Sequence, residues 1–87
     1  MILKQYIRNK KTNNPIGVML AELREGEVHI GYSLCHRNDN YDKQKGQAIA
    51  YSRLKSEKDI NIPYSIIEEF GPFIQRAYKY FRVQKDS

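Results

Sequence analysis

Apolar and polar residues alternate along two neighbouring segments in the first half of the chain. In segment 28–35 every second residue is apolar, and the residues between them are small or polar. Such alternation places the apolar side chains on one face of a β-strand. Segment 16–23 carries a matching apolar face, and a short linker that contains Gly26 joins the two segments, so the sequence predicts an antiparallel hairpin. The apolar positions of this predicted face are Ile16, Val18, Leu20, Val28, Ile30, Tyr32 and Leu34.

A third strand is predicted before the hairpin. Segment 2–7 is rich in β-prone residues, although its alternation is weak, so we place it at the edge of the same sheet. The following segment, 8–15, is dominated by Asn, Thr and Pro together with basic residues. This composition is typical of a loop.

Two helices are predicted in the second half of the chain. Asp42 can cap the first helix, because its carboxylate can accept hydrogen bonds from free backbone NH groups, and residues 43–57 favour helix. In segment 66–81 apolar residues recur at helical spacing. Gly71 and Pro72 interrupt this stripe, and we expect a kink there because proline removes one helical hydrogen bond.

The order of these elements indicates an α+β fold, since the strands are grouped before the helices. We predict a single domain, 1–87, in which a small antiparallel sheet of about three strands is covered on one face by two helices. The C-terminal helix is expected to be kinked at Gly71-Pro72. Its apolar residues exceed what a small sheet readily covers, so we also expect the chain to form a homo-oligomer.

Length and composition restrict the classes of function. The chain has 87 residues, one Cys, and 15 Lys plus Arg against 10 Asp plus Glu, for a net charge of +5. A single cysteine excludes an internal disulfide and a Cys-rich metal site. No segment approaches the roughly 18 apolar residues of a membrane helix, and the first residues do not resemble a signal peptide. We therefore expect a cytoplasmic protein without a membrane partner.

Residues suited to catalysis are sparse. Cys35 and His36 are adjacent, so their side chains diverge on an extended chain, and His29 lies about 20 Å from Cys35 along a strand. A thiol–imidazole pair needs a separation of about 3 Å. Asp39 and Asp42 lack the spacing of a calcium-binding loop, and no glycine-rich phosphate loop is present. We therefore expect no enzyme, no metal site and no cofactor.

The passage from the hairpin to the first helix is the main candidate for a binding site. It brings together His, Arg and Tyr, which a turn alone does not require. Backbone NH groups at a helix N-terminus attract anions, and arginine offers forked donors to a carboxylate or phosphate. A capped, solvated loop is the alternative interpretation. The candidate binding residues are Tyr32, Ser33, His36, Arg37, Asn38, Tyr41, Lys43, Lys45 and Arg53.

The positive charge also raises the alternative of a nucleic-acid partner. Basic and aromatic residues alternate near the C-terminus, and a second basic cluster lies in segment 8–15. No base-reading motif accompanies them, so such binding would be electrostatic and indifferent to sequence. A solvated helix face is the competing interpretation. The residues of this alternative are Lys10, Lys11, Arg76, Lys79, Tyr80 and Arg82.

A discontinuous pattern runs through the middle of the chain. It consists of Ile30-Gly31-Tyr32-Ser33-Leu34-Cys35, Asp39, Tyr41-Asp42-Lys43, Gly46, Ile49-Ala50 and Arg53. With this pattern the chain resembles short phage-encoded accessory proteins, most of which carry no assigned activity. The resemblance covers roughly 17–53. It implies a protein made in the host cytoplasm during infection that inhibits a host factor, such as a defence factor, through stoichiometric binding. A nucleic-acid-binding protein and a protein that sequesters a phosphorylated nucleotide are the alternatives.

Overall fold

A computed structural model of the chain describes residues 2–35, 41–56 and 64–82, without the side chain of Ser65. Three strands come first, and two helices follow. This confirms the predicted α+β class, a three-stranded antiparallel sheet packed against two helices. The elements are β1 (Ile2–Arg8), β2 (Pro15–Arg24), β3 (Glu27–Leu34), α1 (Lys43–Lys55), a short 3-10 turn (Tyr64–Ile66) and α2 (Ile67–Phe81).

The strands lie in the order β1-β2-β3, and both pairings are antiparallel. A two-residue turn joins β2 to β3, since Arg24 pairs directly with Glu27. Glu25 has a φ of 53° and Gly26 a φ of 80°. Positive φ at both central positions is the backbone geometry that matches the twist of a tight hairpin. The predicted hairpin is therefore confirmed, and β2 is the central strand of the sheet.

Strand β2 is buried on both faces of the sheet. Residues 18–21 are each at most 5% exposed. Val18 and Leu20 pack with residues of α1, whereas Met19 and Ala21 pack with residues of α2. Because neighbouring strand residues point to opposite faces, the two helices lie on opposite sides of the sheet.

This layering differs from the sequence-based expectation, which placed both helices on one face. The register explains the difference. Val18 pairs with Ser33 and Leu20 pairs with Gly31, so the alternating apolar residues of β3 do not share a face with Val18 and Leu20. They share a face with Met19, which pairs with Tyr32. The apolar run in β2 therefore supplies two separate cores.

The larger core lies between the sheet and α2. Phe70 and Phe73 are at most 2% exposed, and Phe70 meets the Tyr32 ring edge to face at 5.7 Å between centroids. The predicted apolar helix stripe is thus confirmed. The core consists of Leu3, Ile7, Met19, Ala21, Tyr32, Ile66, Phe70, Phe73 and Ala77.

Helix α2 runs unbroken through Gly71 and Pro72, both of which are exposed. The proline therefore does not end the helix. The predicted bend at this point stays a prediction.

The smaller core lies between the sheet and α1, where the backbones approach closely. A Cβ atom added at Gly31 would lie 2.5 Å from the backbone nitrogen of Leu54 and would also collide with the carbonyl oxygen of Ala50. Helix α1 begins as predicted, because Asp42 accepts hydrogen bonds from the backbone nitrogens of Gln44 (3.0 Å) and Lys45 (3.1 Å). Gly31 and the Asp42 cap together fix the position of α1.

Neither described helix is long and apolar enough to span a membrane.

An ion triad fixes the C-terminal end of α1 to the sheet. Glu22 Oε1 lies 2.7 Å from Lys55 Nζ and 3.1 Å from Arg24 Nε, and Arg24 also donates to the Leu54 carbonyl oxygen at 2.7 Å. The hydrogen bond from Lys55 holds the pKa of the Glu22 carboxyl below its ordinary value of 4.5. The same bond raises the pKa of the Lys55 ammonium.

The lowered pKa of Glu22 predicts a loss of stability in acid. A carboxylate whose pKa is depressed by folding stabilises the native state above its unfolded pKa, and this contribution disappears as the pH falls through the folded pKa. We therefore expect the free energy of unfolding to fall as the pH is lowered from 4.5. The Glu22→Gln variant should lose part of this dependence in urea titrations at several pH values, whereas Glu25→Gln, in the exposed turn, should keep it. Identical acid profiles for the wild type and Glu22→Gln would contradict the assignment.

Candidate functional site

The outer surface of α1 is the most distinctive surface of the described structure. The helix spans Lys43–Lys55 and contains four basic residues and no acidic residue. Two large apolar side chains are also exposed on it, Ile49 at 39% and Tyr51 at 46%. A helix that only covers a core usually turns its apolar residues inward. The outer surface of α1 therefore combines cationic and apolar groups in the way binding surfaces do.

Helical geometry sorts these residues into two rows, because side chains four positions apart lie one above the other. Contacts with the sheet orient each row. Arg53 reaches β3 and Gln47 reaches β1. We call the first row the β3-side row; it consists of Lys45, Ile49 and Arg53. The second row consists of Lys43, Gln47, Tyr51 and Lys55.

Arg53 covers the outer edge of β3. Its Nη1 donates to the Tyr32 carbonyl oxygen at 3.0 Å, and its guanidinium carbon lies 5.0 Å from the centroid of the Tyr32 ring. β3 is an edge strand of the sheet. Glu57, which the spacing of four along a helix would place beside Arg53, lies outside the described residues. Arg53 is therefore held in place by Tyr32, with its side chain at the surface.

Tyr41 and Ser33 meet beneath the first turn of α1. The Tyr41 hydroxyl oxygen and the Ser33 Oγ are both buried. Burial raises the pKa of the Tyr41 phenol above its ordinary value of 10.0. A Cβ atom at Gly46 would lie 2.5 Å from the Tyr41 hydroxyl oxygen. Gly46 therefore makes room for the Tyr41 ring.

The predicted site residues divide into three groups. Tyr32 and Ser33 are buried and Tyr41 is half-buried; Tyr32 contacts Arg53, and Ser33 lies beside Tyr41. The exposed members are all on α1; they are Lys43, Lys45 and Arg53. The remaining predictions fall outside the described residues; they are His36, Arg37 and Asn38. The structure thus gives Tyr32, Ser33 and Tyr41 roles in fixing α1 on β3, and it leaves the α1 surface as the candidate site.

Tyr6 connects β1 to the second row of α1. Its ring centroid lies 5.4 Å from Lys4 Nζ and 5.2 Å from Lys43 Nζ, and its hydroxyl accepts a hydrogen bond from Gln47 Nε2 at 3.0 Å. Further along the row, Lys55 Nζ lies 5.2 Å from the Tyr51 ring centroid. We call this surface the basic–aromatic strip; it consists of Lys4, Tyr6, Lys43, Gln47, Tyr51 and Lys55.

Sequence reasoning missed most of the exposed α1 surface and the adjoining residues of β1. It selected Lys43, Lys45 and Arg53 but passed over Ile49 and Tyr51 as helix residues. The available signal was the spacing of four between cations and large side chains in a segment without a carboxylate. The contribution of β1 was not visible, because it depends on the register of the sheet.

The residues of the predicted nucleic-acid alternative do not form one free basic face. Lys10 Nζ lies 3.6 Å from Glu68 Oε2, and Arg76 donates to Gln5 Oε1 at 2.7 Å. Lys11 lies in the exposed loop before β2. Near the end of α2, Lys79 and Tyr80 are exposed, and Arg82 follows the helix with a φ of 56°.

Candidate metal and catalytic groups are sparse in the part of the chain that the structure describes. Residues 2–35, 41–56 and 64–82 contain no group of three or more His, Cys, Asp or Glu side chains that could hold a metal ion. Cys35 follows β3 directly and is half-buried.

Comparisons of this chain with protein-family models, with curated proteins and with solved structures find no match.

Proposed function

We propose that this chain is a small, non-enzymatic accessory protein of the phage type that inhibits a host protein through stoichiometric binding. The β3-side row of α1 is the surface that contacts the host protein. The observation that carries the proposal is the exposed Ile49 side chain between two cations, Lys45 and Arg53, on a helix without a carboxylate.

The composition of this row favours a protein partner. Arginine is enriched in protein–protein interfaces, and a desolvated apolar centre surrounded by polar groups is typical of their binding hot spots. Ile49 supplies the apolar centre. Arg53 supplies a forked donor that Tyr32 already orients, so little side-chain entropy is lost on binding. The complementary partner surface is an apolar pocket bordered by carboxylates.

The proposal is tested with the tagged chain expressed in bacterial cells. A captured host protein is purified and titrated with the chain by calorimetry. We expect a saturable complex with a fixed stoichiometry. The Ile49→Asp variant should weaken binding about 30-fold or more, since truncating a hot spot costs about 2 kcal/mol or more. Lys79→Glu, on the exposed surface of α2, serves as the control for a charge change away from α1 and should bind like the wild type.

Two outcomes would contradict this assignment. Equal binding by the wild type and Ile49→Asp would remove the β3-side row from the interface. A small phosphorylated nucleotide found in native mass spectra in place of a protein would favour the sequestering alternative. Sedimentation of the free chain in the same series tests the further proposal that it forms a homo-oligomer, which requires a mass above 10.3 kDa.

A further inference from the structure

We infer that the basic–aromatic strip binds single-stranded nucleic acid through its phosphate backbone, at a site separate from the β3-side row. The strip combines residues of β1 and α1 on one side of the sheet. This inference is independent of the proposed host-protein complex, because it uses different side chains on the opposite flank of α1.

Uncompensated positive charge is the first argument. Lys4 Nζ and Lys43 Nζ both lie within 5.4 Å of the Tyr6 ring centroid. The two ammonium groups are therefore at most about 11 Å apart, which is close to one Debye length at 0.1 M salt. Among the described residues, no carboxylate forms an ion pair with either of them. Their mutual repulsion disfavours folding, and an anionic ligand would relieve it.

Preorganisation is the second argument. Lysine side chains lose considerable rotamer freedom when a ligand immobilises them. Here the Tyr6 ring attracts both ammonium groups, and Gln47 holds the Tyr6 hydroxyl at 3.0 Å. Part of the ordering is therefore complete before a ligand arrives, which improves affinity.

The nature of the side chains distinguishes nucleic acid from an acidic protein. Lysine is depleted in protein–protein interfaces, yet it supplies three of the six residues of the strip. Tyr51 is 46% exposed and has Lys55 beside its ring. An exposed aromatic ring next to cations is the usual platform on which the bases of single strands stack. The strip contains no exposed aliphatic side chain that could form the apolar centre of a protein interface.

The dimensions of the strip fit a short single strand. Lys43 and Lys55 are twelve positions apart, which corresponds to about 18 Å along the helix axis. This length accommodates about five stacked nucleotides at about 3.4 Å each. Lys55 shares Glu22 with Arg24, so the far end of the strip keeps one net positive charge within the triad.

Fluorescence anisotropy with a labelled 12-nucleotide single strand tests the inference. The full chain is titrated at several salt concentrations between 50 and 200 mM. We expect binding at 50 mM salt that weakens steeply as salt is added, with the same affinity for oligonucleotides of unrelated sequence. The Lys4→Ala/Lys43→Ala variant should reduce the slope of log K against log salt by about 1.4, because each lost phosphate contact on a single strand changes it by about 0.7. Tyr51→Ala should weaken binding about tenfold through lost stacking.

A matched control separates the strip from overall charge. Lys10→Ala/Lys79→Ala removes the same number of charges from exposed positions outside the strip, and we expect it to retain the wild-type slope. Equal losses in the two double variants would overturn the inference, as would the absence of wild-type binding at 50 mM salt. Competition by polyglutamate at equal charge concentration would also overturn it and would identify a surface for acidic proteins. Circular dichroism checks that every variant is folded.

Discussion

Replacement of Gly31 by alanine is expected to destabilise the protein by about 3 kcal/mol or more. The added methyl group would lie 2.5 Å from the Leu54 backbone nitrogen and 2.8 Å from the Leu54 Cα atom, and would collide with the Ala50 carbonyl oxygen. These are backbone atoms, so no side-chain rotation relieves the overlap. Overpacking of a well-packed core by small groups typically costs about 1–3 kcal/mol. The overlap can be relieved only if the whole of α1 moves away from the sheet. We therefore expect a cost at or above the upper end of this range.

Gly71 provides a control for the same chemical change. It lies within α2, and a Cβ atom there would meet nothing within 4 Å. Alanine is favoured over glycine inside a helix by about 0.5–1 kcal/mol, so Gly71→Ala should stabilise the protein. Urea denaturation followed by circular dichroism measures both variants. A Gly31→Ala variant within 1 kcal/mol of the wild type would show that α1 does not approach the sheet as closely as described.

The strands and helices could be predicted because their signals are local. Alternation in β3, the Gly26 turn and the capping carboxylate of Asp42 each depend on a few neighbouring residues. The apolar stripe of α2 has a strong helical period and was equally clear. These local features were sufficient to establish the α+β class.

The arrangement of the layers could not be read in the same way, although a signal for it existed. Residues 18–21 are consecutively apolar, and such a run is typical of a strand that is buried on both faces. The sequence-based prediction used only every second residue of this run, Val18 and Leu20. It therefore assigned the strand a single buried face. Gly31 and Ser33 gave a second signal, because small residues on the other face of β3 leave room for a closely packed helix.

The candidate site depended even more on tertiary structure. Sequence reasoning placed Tyr32, Ser33 and Tyr41 in the candidate site because they belong to the passage from the hairpin to the first helix. Their neighbours Arg53 and Gly46 supply the structural reason: they fix α1 against β3. Conversely, Lys4 and Tyr6 belonged to a weakly patterned strand, and only the register of β1 brings them beside α1. One feature of this surface was already visible in the sequence: segment 43–55 carries four basic residues and no carboxylate.

Replacement of Phe70 by alanine is expected to cost about 3–5 kcal/mol, the usual range for a buried phenylalanine. Phe70 is 2% exposed and makes an edge-to-face contact with Tyr32, so the variant leaves a cavity and loses an aromatic pair. A chain of 87 residues has a total stability of roughly 4–13 kcal/mol. The Phe70→Ala substitution therefore removes a large part of the total stability and should lower the urea midpoint strongly, whereas Ile67→Ala, at a 48% exposed position, should cost less than about 1 kcal/mol.

The milder Phe70→Leu variant extends this test from stability to function. It keeps an apolar side chain in the α2 core and should fold at 25 °C with reduced stability. Because α1 packs on the opposite face of the sheet, the basic–aromatic strip does not contact Phe70. We therefore expect folded Phe70→Leu to bind the labelled single strand within twofold of the wild type, while its urea midpoint falls. A loss of binding in parallel with the loss of stability would show that the two faces of the sheet are coupled and that the strip is not an independent surface.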